Sequence, residues 1–335
     1  MSGERATFDG VRTIDITSSV VGAAPCRLRV RWWDPSGGAA GPPFVLVHGL
    51  SSNARVWDEV AAVLADAGHE VAAVDLRSHG ESEAPSDGYD TATAAHDVAA
   101  VCSALFAGGR VVAVGQSWGG NVVVRLAARY PSLVAAVGLV DGGWLDLATA
   151  FDSWEACAAA LRPPDVDGVP AEALRQRFAT DHPDWSPAAV AATVANLREL
   201  PDGTVRRRLS IDNHMRIVRS MWDDPPWPDF AAIAVPALLM PALPVRDGPS
   251  PVRGDKRVLV ARAADALAQA RVREYVGGDH DLHAQQPAAV AADLLTLAAQ
   301  ARGGGIDGRA AGDHGIGRDD ADHDQATSLD IRAGG

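Results

Sequence analysis

A glycine-flanked serine, Ser117, is the residue of this sequence best suited to nucleophilic chemistry. A short apolar run at 111–114 leads into G-Q-S-W-G at 115–119, and apolar residues at helical spacing follow. A strand, such a serine and a helix in this order form a nucleophile elbow, a strained turn that needs small neighbours. The pattern therefore predicts that the Ser117 hydroxyl lies at the carboxyl edge of a sheet. The alternative is an inert serine in a glycine-rich turn.

The segments around this serine alternate between strand-like and helix-like patterns. Strands are predicted at 44–47, 70–76, 111–114, 134–140, 235–240 and 271–276, and helices at 57–67, 92–106 and 252–270, with a last helix ending near 301. Two further strand-like runs, at 11–21 and 26–33, are expected to form an antiparallel hairpin at the sheet edge. The alternation indicates an α/β fold with a mostly parallel central sheet that is covered on both faces.

The alternation stops between Trp144 and Phe230. Helical patterns near 153–161, 171–179, 187–200 and 210–222 predict an inserted helical cap over 144–230, so that 1–143 and 231–301 form the core. Tryptophans are frequent in the cap. They either hold a small subdomain together or, for Trp144, Trp154 and Trp222, line an apolar substrate pocket. Residues 302–335 are poor in large apolar side chains, which is typical of a disordered tail.

Composition limits the classes of partner and the compartment. The 335 residues are 47% hydrophobic and carry a formal net charge of −13, with no basic patch. This argues against nucleic acids and anionic membrane surfaces as partners. The three cysteines, Cys26, Cys102 and Cys157, are far apart, so neither a disulfide framework nor a metal site is expected. No signal-peptide core and no apolar run of about 18 residues is found, which favours a cytoplasmic location.

Five motifs, taken together and in this order, resemble the α/β-hydrolase superfamily over about residues 12–301. They are H-G at 48–49, D-L-R-S-H-G-E-S at 75–82, G-Q-S-W-G-G at 115–120, V-P-A-L-L-M at 235–240 and D-H-D-L-H-A-Q-Q-P at 279–287. The resemblance implies an α/β-hydrolase fold with an inserted helical cap. It says much less about the substrate.

The resemblance also implies a catalytic triad in the chain order serine, acid, histidine. Ser117 matches the nucleophile. His280, in the loop after the last strand, matches the general base and is preferred to His283. The acid has two candidates. Asp141, at the end of the strand after the elbow helix, is preferred to Asp247, which comes late and among prolines, although an aspartate at 141 could also merely form a turn.

The same resemblance assigns an oxyanion hole to two backbone N–H groups, those of Leu50 and Trp118. Such donors are each worth roughly a hundred- to a thousandfold in rate. His48 is expected to be structural, and Asp75, Arg77 and His79 are expected to hold the turn after their strand. None of these side chains is expected to take part in the chemistry.

The expected activity is cofactor-independent hydrolysis of an ester or related acyl bond, without a metal. Serine rather than aspartate at the elbow favours an acyl-enzyme route. The expected partner is a small molecule with an apolar acyl group, and the oligomeric state is left open. One alternative keeps the triad for C–C bond hydrolysis, acyl transfer or haloperoxidation. Another is a non-catalytic binding protein that keeps the fold.

Overall fold

The computed structural model describes residues 5–6, 11–243 and 255–303 of the chain. The strands in these ranges are β1 (Arg5–Ala6), β2 (Val11–Ser18), β3 (Cys26–Trp33), β4 (Phe44–Val47), β5 (Val71–Val74), β6 (Val111–Gln116), β7 (Val134–Val140), β8 (Leu197–Glu199), β9 (Val205–Arg207), β10 (Ala237–Met240), β11 (Ala242–Leu243), β12 (Ala270–Val272) and β13 (Tyr275–Val276). The α-helices are α1 (Asp58–Asp66), α2 (Thr91–Leu105), α3 (Trp118–Arg129), α4 (Leu147–Ala150), α5 (Trp154–Leu161), α6 (Ala171–Asp181), α7 (Pro187–Val194), α8 (Ile211–Asp223), α9 (Lys256–Ala266), α10 (Leu282–Gln285) and α11 (Pro287–Gly303). Two 3₁₀ helices span Ala54–Trp57 and Trp227–Ala232.

The central sheet is mostly parallel, as predicted. In the described part its strand order is β1-β2-β3-β5-β4-β6-β7-β10-β12. The strands from β5 to β12 in this order run parallel to one another, whereas β3 is antiparallel to β5. Strands β2 and β3 form the predicted antiparallel hairpin, with Val11 opposite Trp33. Because β4, β6 and β7 lie side by side, the loops after their carboxyl ends meet at one edge of the sheet. That edge carries residues 48–50, Ser117 and Asp141.

The core lies on both faces of this sheet, which explains why its strands read as continuous apolar runs. Successive residues of β4 belong to different clusters: Phe44 and Leu46 pack with residues of α1 and α11, and Val45 and Val47 pack with residues of α2 and α3. This alternation follows from the two-residue period of a strand. The helices thereby fix the sheet, and with it the edge at which Ser117 lies.

The segment between β7 and β10 is mainly helical, but one part of it differs from the prediction. The helix predicted over 187–200 ends at Val194, and β8 and β9 then form a short antiparallel hairpin. The turn between them contains P-D-G at 201–203, where Gly203 has a φ of 79° and Asp202 Oδ1 accepts the N–H of Thr204. This is turn chemistry, and it overrides the local helical pattern.

The end of the chain shows further differences in boundaries. The strand predicted over 271–276 forms two short pieces: β12 extends the main sheet, and β13 pairs with β11. Of the helix predicted over 252–270, the described part is α9, which begins at Lys256 and ends at Ala266. The alternative acid Asp247 and most of the predicted tail, 304–335, lie outside the described residues. Among the residues that are described, no helix has the length and apolar character needed to cross a membrane.

Candidate active site

Ser117 occupies a sharp turn between β6 and α3, as the sequence predicts. Its φ is 53° and its ψ is −122°, a strained conformation for a residue with a side chain. The Ser117 N–H donates to the Val140 carbonyl at 3.1 Å, which ties the turn to β7. A side chain on Gly115 would overlap the backbone of Gly119, and one on Gly119 would overlap that of Val47. The two glycines are therefore required for the close approach of strand and helix.

Asp141 lies in the turn after β7, with a φ of 41°. Its Oδ1 accepts the N–H of Ala242 at 3.0 Å, and its Oδ2 lies 2.7 Å from Nδ1 of His280. The Asp141 side chain is only 2% exposed, whereas that of His280 is 55% exposed. The carbonyl of His280 accepts a hydrogen bond from the side chain of Gln116, the neighbour of Ser117, at 3.2 Å. The structure thus brings His280 and the preferred acid candidate together beside the elbow.

Each member of this pair alters the titration of the other. Burial raises the pKa of Asp141, but the hydrogen bond and charge of His280, with a further contribution from Lys256, lower it below its usual value. Burial lowers the pKa of His280, but the hydrogen bond and charge of Asp141 raise it above its usual value. The carboxylate therefore stays ionised near neutral pH, and the imidazole is a stronger base than a free histidine. These are the properties that a general base and its orienting acid require.

The competing candidates are placed differently. His283 is 1% exposed, and neither of its ring nitrogens has a hydrogen-bond partner among the described residues. Its ring lies 4.4 Å from that of Trp57, in the apolar core. His280, not His283, therefore contacts Asp141. Asp247 lies outside the described residues, so no contact can be assigned to it.

The H-G turn after β4 packs directly against the elbow, so that both candidate oxyanion donors lie in backbone segments next to Ser117. A Cβ on Gly49 would lie 3.0 Å from Cβ of Ser117. Leu50 follows Gly49 in this loop. The N–H of Trp118 is in the first turn of α3, where N–H groups have no partner within the helix. Both donors thus belong to backbone segments that adjoin Ser117, and their role as an oxyanion hole stays a prediction.

Two buried histidines hold this loop. His48 donates from Nδ1 to the Gly49 carbonyl at 2.7 Å, and its Nε2 accepts the N–H of Leu76 at 3.1 Å. His79 bonds through Nδ1 to the Arg77 carbonyl, and its Nε2 accepts the N–H of Ser51. Burial lowers the pKa of His48 to about 4 and that of His79 well below its usual value. Both rings are therefore neutral supports.

The cap segment also contacts this loop. Oγ of Ser51 lies 2.8 Å from Nδ1 of His214 in α8, and Nε2 of His214 lies 2.9 Å from the Leu161 carbonyl. Since a carbonyl can only accept, Nε2 carries the proton and Nδ1 accepts from the Ser51 hydroxyl. Sequence reasoning missed this bond, because the two residues are far apart in the chain.

A cavity of about 250 Å³ opens beside the three candidate catalytic residues. Its lining contains Ser117, Asp141 and His280, together with a largely apolar wall. Trp144 is part of this wall, as predicted. Trp154 and Trp222 are not among its lining residues; they pack against each other instead, with ring centroids 6.0 Å apart. This contact between the two rings fits the other sequence-based interpretation, in which these tryptophans hold the cap together, and their place in a substrate pocket stays a prediction.

A larger cavity, of about 600 Å³, lies at the opposite edge of the sheet. It adjoins Arg110 and Pro236, which precede β6 and β10, and Ala135, the second residue of β7. Ligands of open α/β sheets bind at the carboxyl ends of the strands, whereas this cavity is at the amino ends. The smaller cavity, beside Ser117, is therefore the candidate active site.

Comparisons with known proteins identify the family of this fold. The model of the α/β-hydrolase fold family matches residues 42–184. The 2-(acetamidomethylene)succinate hydrolase of Mesorhizobium japonicum is 30% identical over 227 residues, which cover 62% of this chain and 79% of that protein. The chain belongs to the α/β-hydrolase family.

Other similarities agree with this family. The crystal structure of E-2-(acetamidomethylene)succinate hydrolase has a TM-score of 0.66 and 22% identity, and the match covers 85% of this chain and 98% of that chain. At this level of identity the likeness concerns the fold. A non-heme chloroperoxidase of Streptomyces lividans is 41% identical over 110 residues, 32% of this chain and 38% of that protein. This second match is local, since it spans well under half of either protein.

Lys256 is the residue at this α/β-hydrolase site that sequence reasoning missed. Its Nζ lies 2.9 Å from Oδ1 and 3.0 Å from Oδ2 of Asp141. It is the first residue of α9 and lines the cavity. No motif marked it, because it follows a loop whose path the sequence pattern does not determine, and because it is 115 residues from its partner.

Proposed function

We propose that this protein is a serine hydrolase that cleaves an ester or related acyl bond of a small molecule through an acyl-enzyme on Ser117. One observation carries the proposal: a strained serine, a half-exposed histidine and a buried carboxylate line one cavity, with Asp141 Oδ2 2.7 Å from Nδ1 of His280. Because Nδ1 is directed at the carboxylate, Nε2 is the nitrogen left to act as a base.

The proposed reaction uses these residues and water. The Ser117 oxygen attacks the carbonyl carbon of the substrate, and Nε2 of His280 takes the hydroxyl proton. The N–H groups of Leu50 and Trp118 stabilise the negative oxygen of the tetrahedral intermediate. His280 then gives its proton to the leaving group, whose bond to the carbonyl carbon breaks. Water repeats the sequence with the acyl-enzyme, releasing the acid and restoring Ser117.

The cavity supports a small, partly apolar acyl group as the substrate class. Its volume of about 250 Å³ lies near the lower end for ligand pockets, and its wall includes Trp144, Leu145 and Met221. The polar side chains in the lining other than the three candidate catalytic residues are Asn121 and Lys256, counted over the described residues. We infer a preference for short acyl chains over long ones.

A second candidate reaction on the same residues is haloperoxidation, which is favoured by the local likeness to the Streptomyces lividans chloroperoxidase. C–C bond hydrolysis and acyl transfer to an acceptor other than water also fit the same residues. Product analysis with competing nucleophiles and with halide separates these reactions. The hydrogen bond between His280 and Asp141 weakens the non-catalytic alternative, whose main support was an uncertain acid.

The test of the proposal is to compare the wild type with Ser117→Ala. The wild type should react with a fluorophosphonate probe and hydrolyse p-nitrophenyl esters, acetate and butyrate better than laurate. Ser117→Ala should lose the labelling and at least about a thousandfold in kcat/KM. Ser103→Ala, an exposed serine on α2, is the matched control and should behave like the wild type. Equal labelling and turnover of wild type and Ser117→Ala would refute the assignment.

A further inference from the structure

The amino group of Lys256 makes its hydrogen bonds to Asp141, the candidate acid of the triad, and to the backbone beside it. Its Nζ donates to Oδ1 and Oδ2 of Asp141 at 2.9 and 3.0 Å, and to the carbonyl of Ala242 at 2.8 Å. An ammonium group has three protons, and these contacts use all three. Ala242 is also the residue whose N–H binds Oδ1 of Asp141. Lys256 therefore fixes both the carboxylate and the backbone that supports it.

Lys256 and His280 both interact with the same negative charge, that of the Asp141 carboxylate. The carboxylate is 2% exposed, and it interacts with His280 on Oδ2 and with Lys256 on both oxygens. A lysine side chain ordinarily carries its positive charge over the pH range in which histidines titrate, whereas a histidine gains and loses its charge within that range. Part of the attraction that would otherwise stabilise a protonated His280 is therefore offset by a nearby cation. A positive charge also repels a second positive charge directly.

The other groups around His280 do not reproduce this effect. Asp281, its neighbour in the chain, raises the pKa of His280, while Lys256 lowers it. Asp279, on the other side, bonds to His182 of the cap, with 2.7 Å between Oδ2 and Nδ1. His283 is buried with its pKa lowered to about 3, so it is neutral. Lys256 therefore acts on this ring in the opposite direction to Asp141 and Asp281.

We propose that Lys256 is a positioning residue that keeps Asp141 ionised and offsets part of its charge, so that His280 remains a free base in more acidic solution. The inference rests on the proposed function for its catalytic meaning, but the titration of His280 is a property of the folded protein alone. Lys256 touches neither the reacting bond nor the nucleophile in this role. It acts through Asp141.

The test is to measure the titration of His280 directly by NMR in the full chain, labelled at its histidines. The signals of His280 are those that disappear in His280→Gln. In Lys256→Met, which removes the charge, the midpoint should rise by about one pH unit. The lost charge is close to the ring, because Nζ lies 3.0 Å from Oδ2 of Asp141 and that oxygen lies 2.7 Å from Nδ1 of His280. In Lys256→Arg, which keeps the charge, the midpoint should stay close to the wild-type value. Should Lys256→Met not fold, Lys256→Gln tests the same loss of charge while keeping a hydrogen-bond donor.

A second measurement follows the pH dependence of kcat/KM for a neutral ester. Its acidic limb should move to higher pH in Lys256→Met and stay in place in Lys256→Arg. An unchanged or lowered His280 midpoint in Lys256→Met overturns the proposal, as does a uniform loss of activity with no movement of the limb. An unchanged midpoint with a raised KM for anionic esters alone would instead make Lys256 a substrate-binding residue. If Ser117→Ala retained full activity, the proposed function would fail, but the NMR titration would still decide the role of Lys256.

Discussion

His280 lies in the loop before α10, and His283 lies three residues further on, in that helix. Their surroundings differ in exposure to solvent and in hydrogen bonding. The side chain of His280 is 55% exposed, faces the cavity and meets a buried carboxylate at 2.7 Å. His283 is 1% exposed, packs against the ring of Trp57 and has no hydrogen-bond partner for either nitrogen among the described residues. The surroundings raise the pKa of His280, while burial lowers that of His283 to about 3.

The contrast between these two residues shows that burial alone does not give a histidine a pKa suited to acid–base chemistry. Desolvation disfavours the imidazolium in both residues, but only His280 has a carboxylate that reverses the effect. His48 and His79 resemble His283 in their lowered pKa, but their nitrogens hold the loop of Leu50 by hydrogen bonds. One side chain type thus serves as proposed base, loop support and core residue within one region of the molecule.

The largest effect that separates the two histidines should be on catalysis. His280→Gln removes the proposed base and should lower kcat by roughly ten thousandfold or more on a p-nitrophenyl ester. His283→Leu is the matched control and should keep activity within a few-fold, because its ring contacts Trp57 and not Asp141. Steady-state kinetics on both purified variants makes the comparison. The reverse pattern, with His283→Leu inactive, would exchange their roles.

A slightly smaller effect should distinguish the two candidate acids. Asp141→Asn keeps the shape of the side chain but favours the wrong tautomer of His280, so kcat should fall by about a thousand- to ten thousandfold. Asp247→Asn is the control and should have little effect. Kinetics at several pH values measures both variants. A large loss in Asp247→Asn with none in Asp141→Asn would show that Asp247 orients the base and that the contact of Asp141 is incidental.

Local patterns in the sequence were sufficient for much of the site. The elbow at Ser117, the parallel strands beside it and the histidine loop each depend on residues adjacent in the chain. Asp141 could be favoured because it ends a strand that must lie next to the elbow strand. These predictions succeed because the carboxyl ends of neighbouring parallel strands share one sheet edge.

The missed features depend on contacts between distant residues. Lys256 reaches Asp141 from the start of α9, and Ser51 meets His214 of the cap. Neither pair leaves a pattern in the sequence, because its two members are 115 and 163 residues apart in the chain, respectively. The packing of Trp154 on Trp222 could not be foreseen for the same reason. The β8–β9 hairpin is different, since its P-D-G turn consists of residues adjacent in the chain and directly follows the helix predicted over 187–200.

The smallest expected effect is on the free energy of unfolding, whose dependence on pH should differ between variants of the two histidines. A histidine whose pKa is lowered by folding costs stability as the pH falls through its unfolded value, because the unfolded chain takes up a proton that the native state resists. For His283, lowered to about 3, the cost at pH 5 is about 2 kcal/mol and is nearly absent at pH 7. His283→Leu should therefore stabilise the protein at pH 7, by relieving unpaired buried nitrogens, and should stabilise it more at pH 5.

His280 should show the opposite sign. A pKa raised by folding gives stability that is fully present below the unfolded pKa and is lost as the pH rises through the folded value. His280→Gln should consequently lose more stability at pH 5 than at pH 8, by a small amount because the side chain is 55% exposed. Urea unfolding of both variants at these pH values measures the free energies. Parallel pH dependence of the two variants would contradict the contrast, because it would mean that the carboxylate of Asp141 does not distinguish the environment of one ring from that of the other.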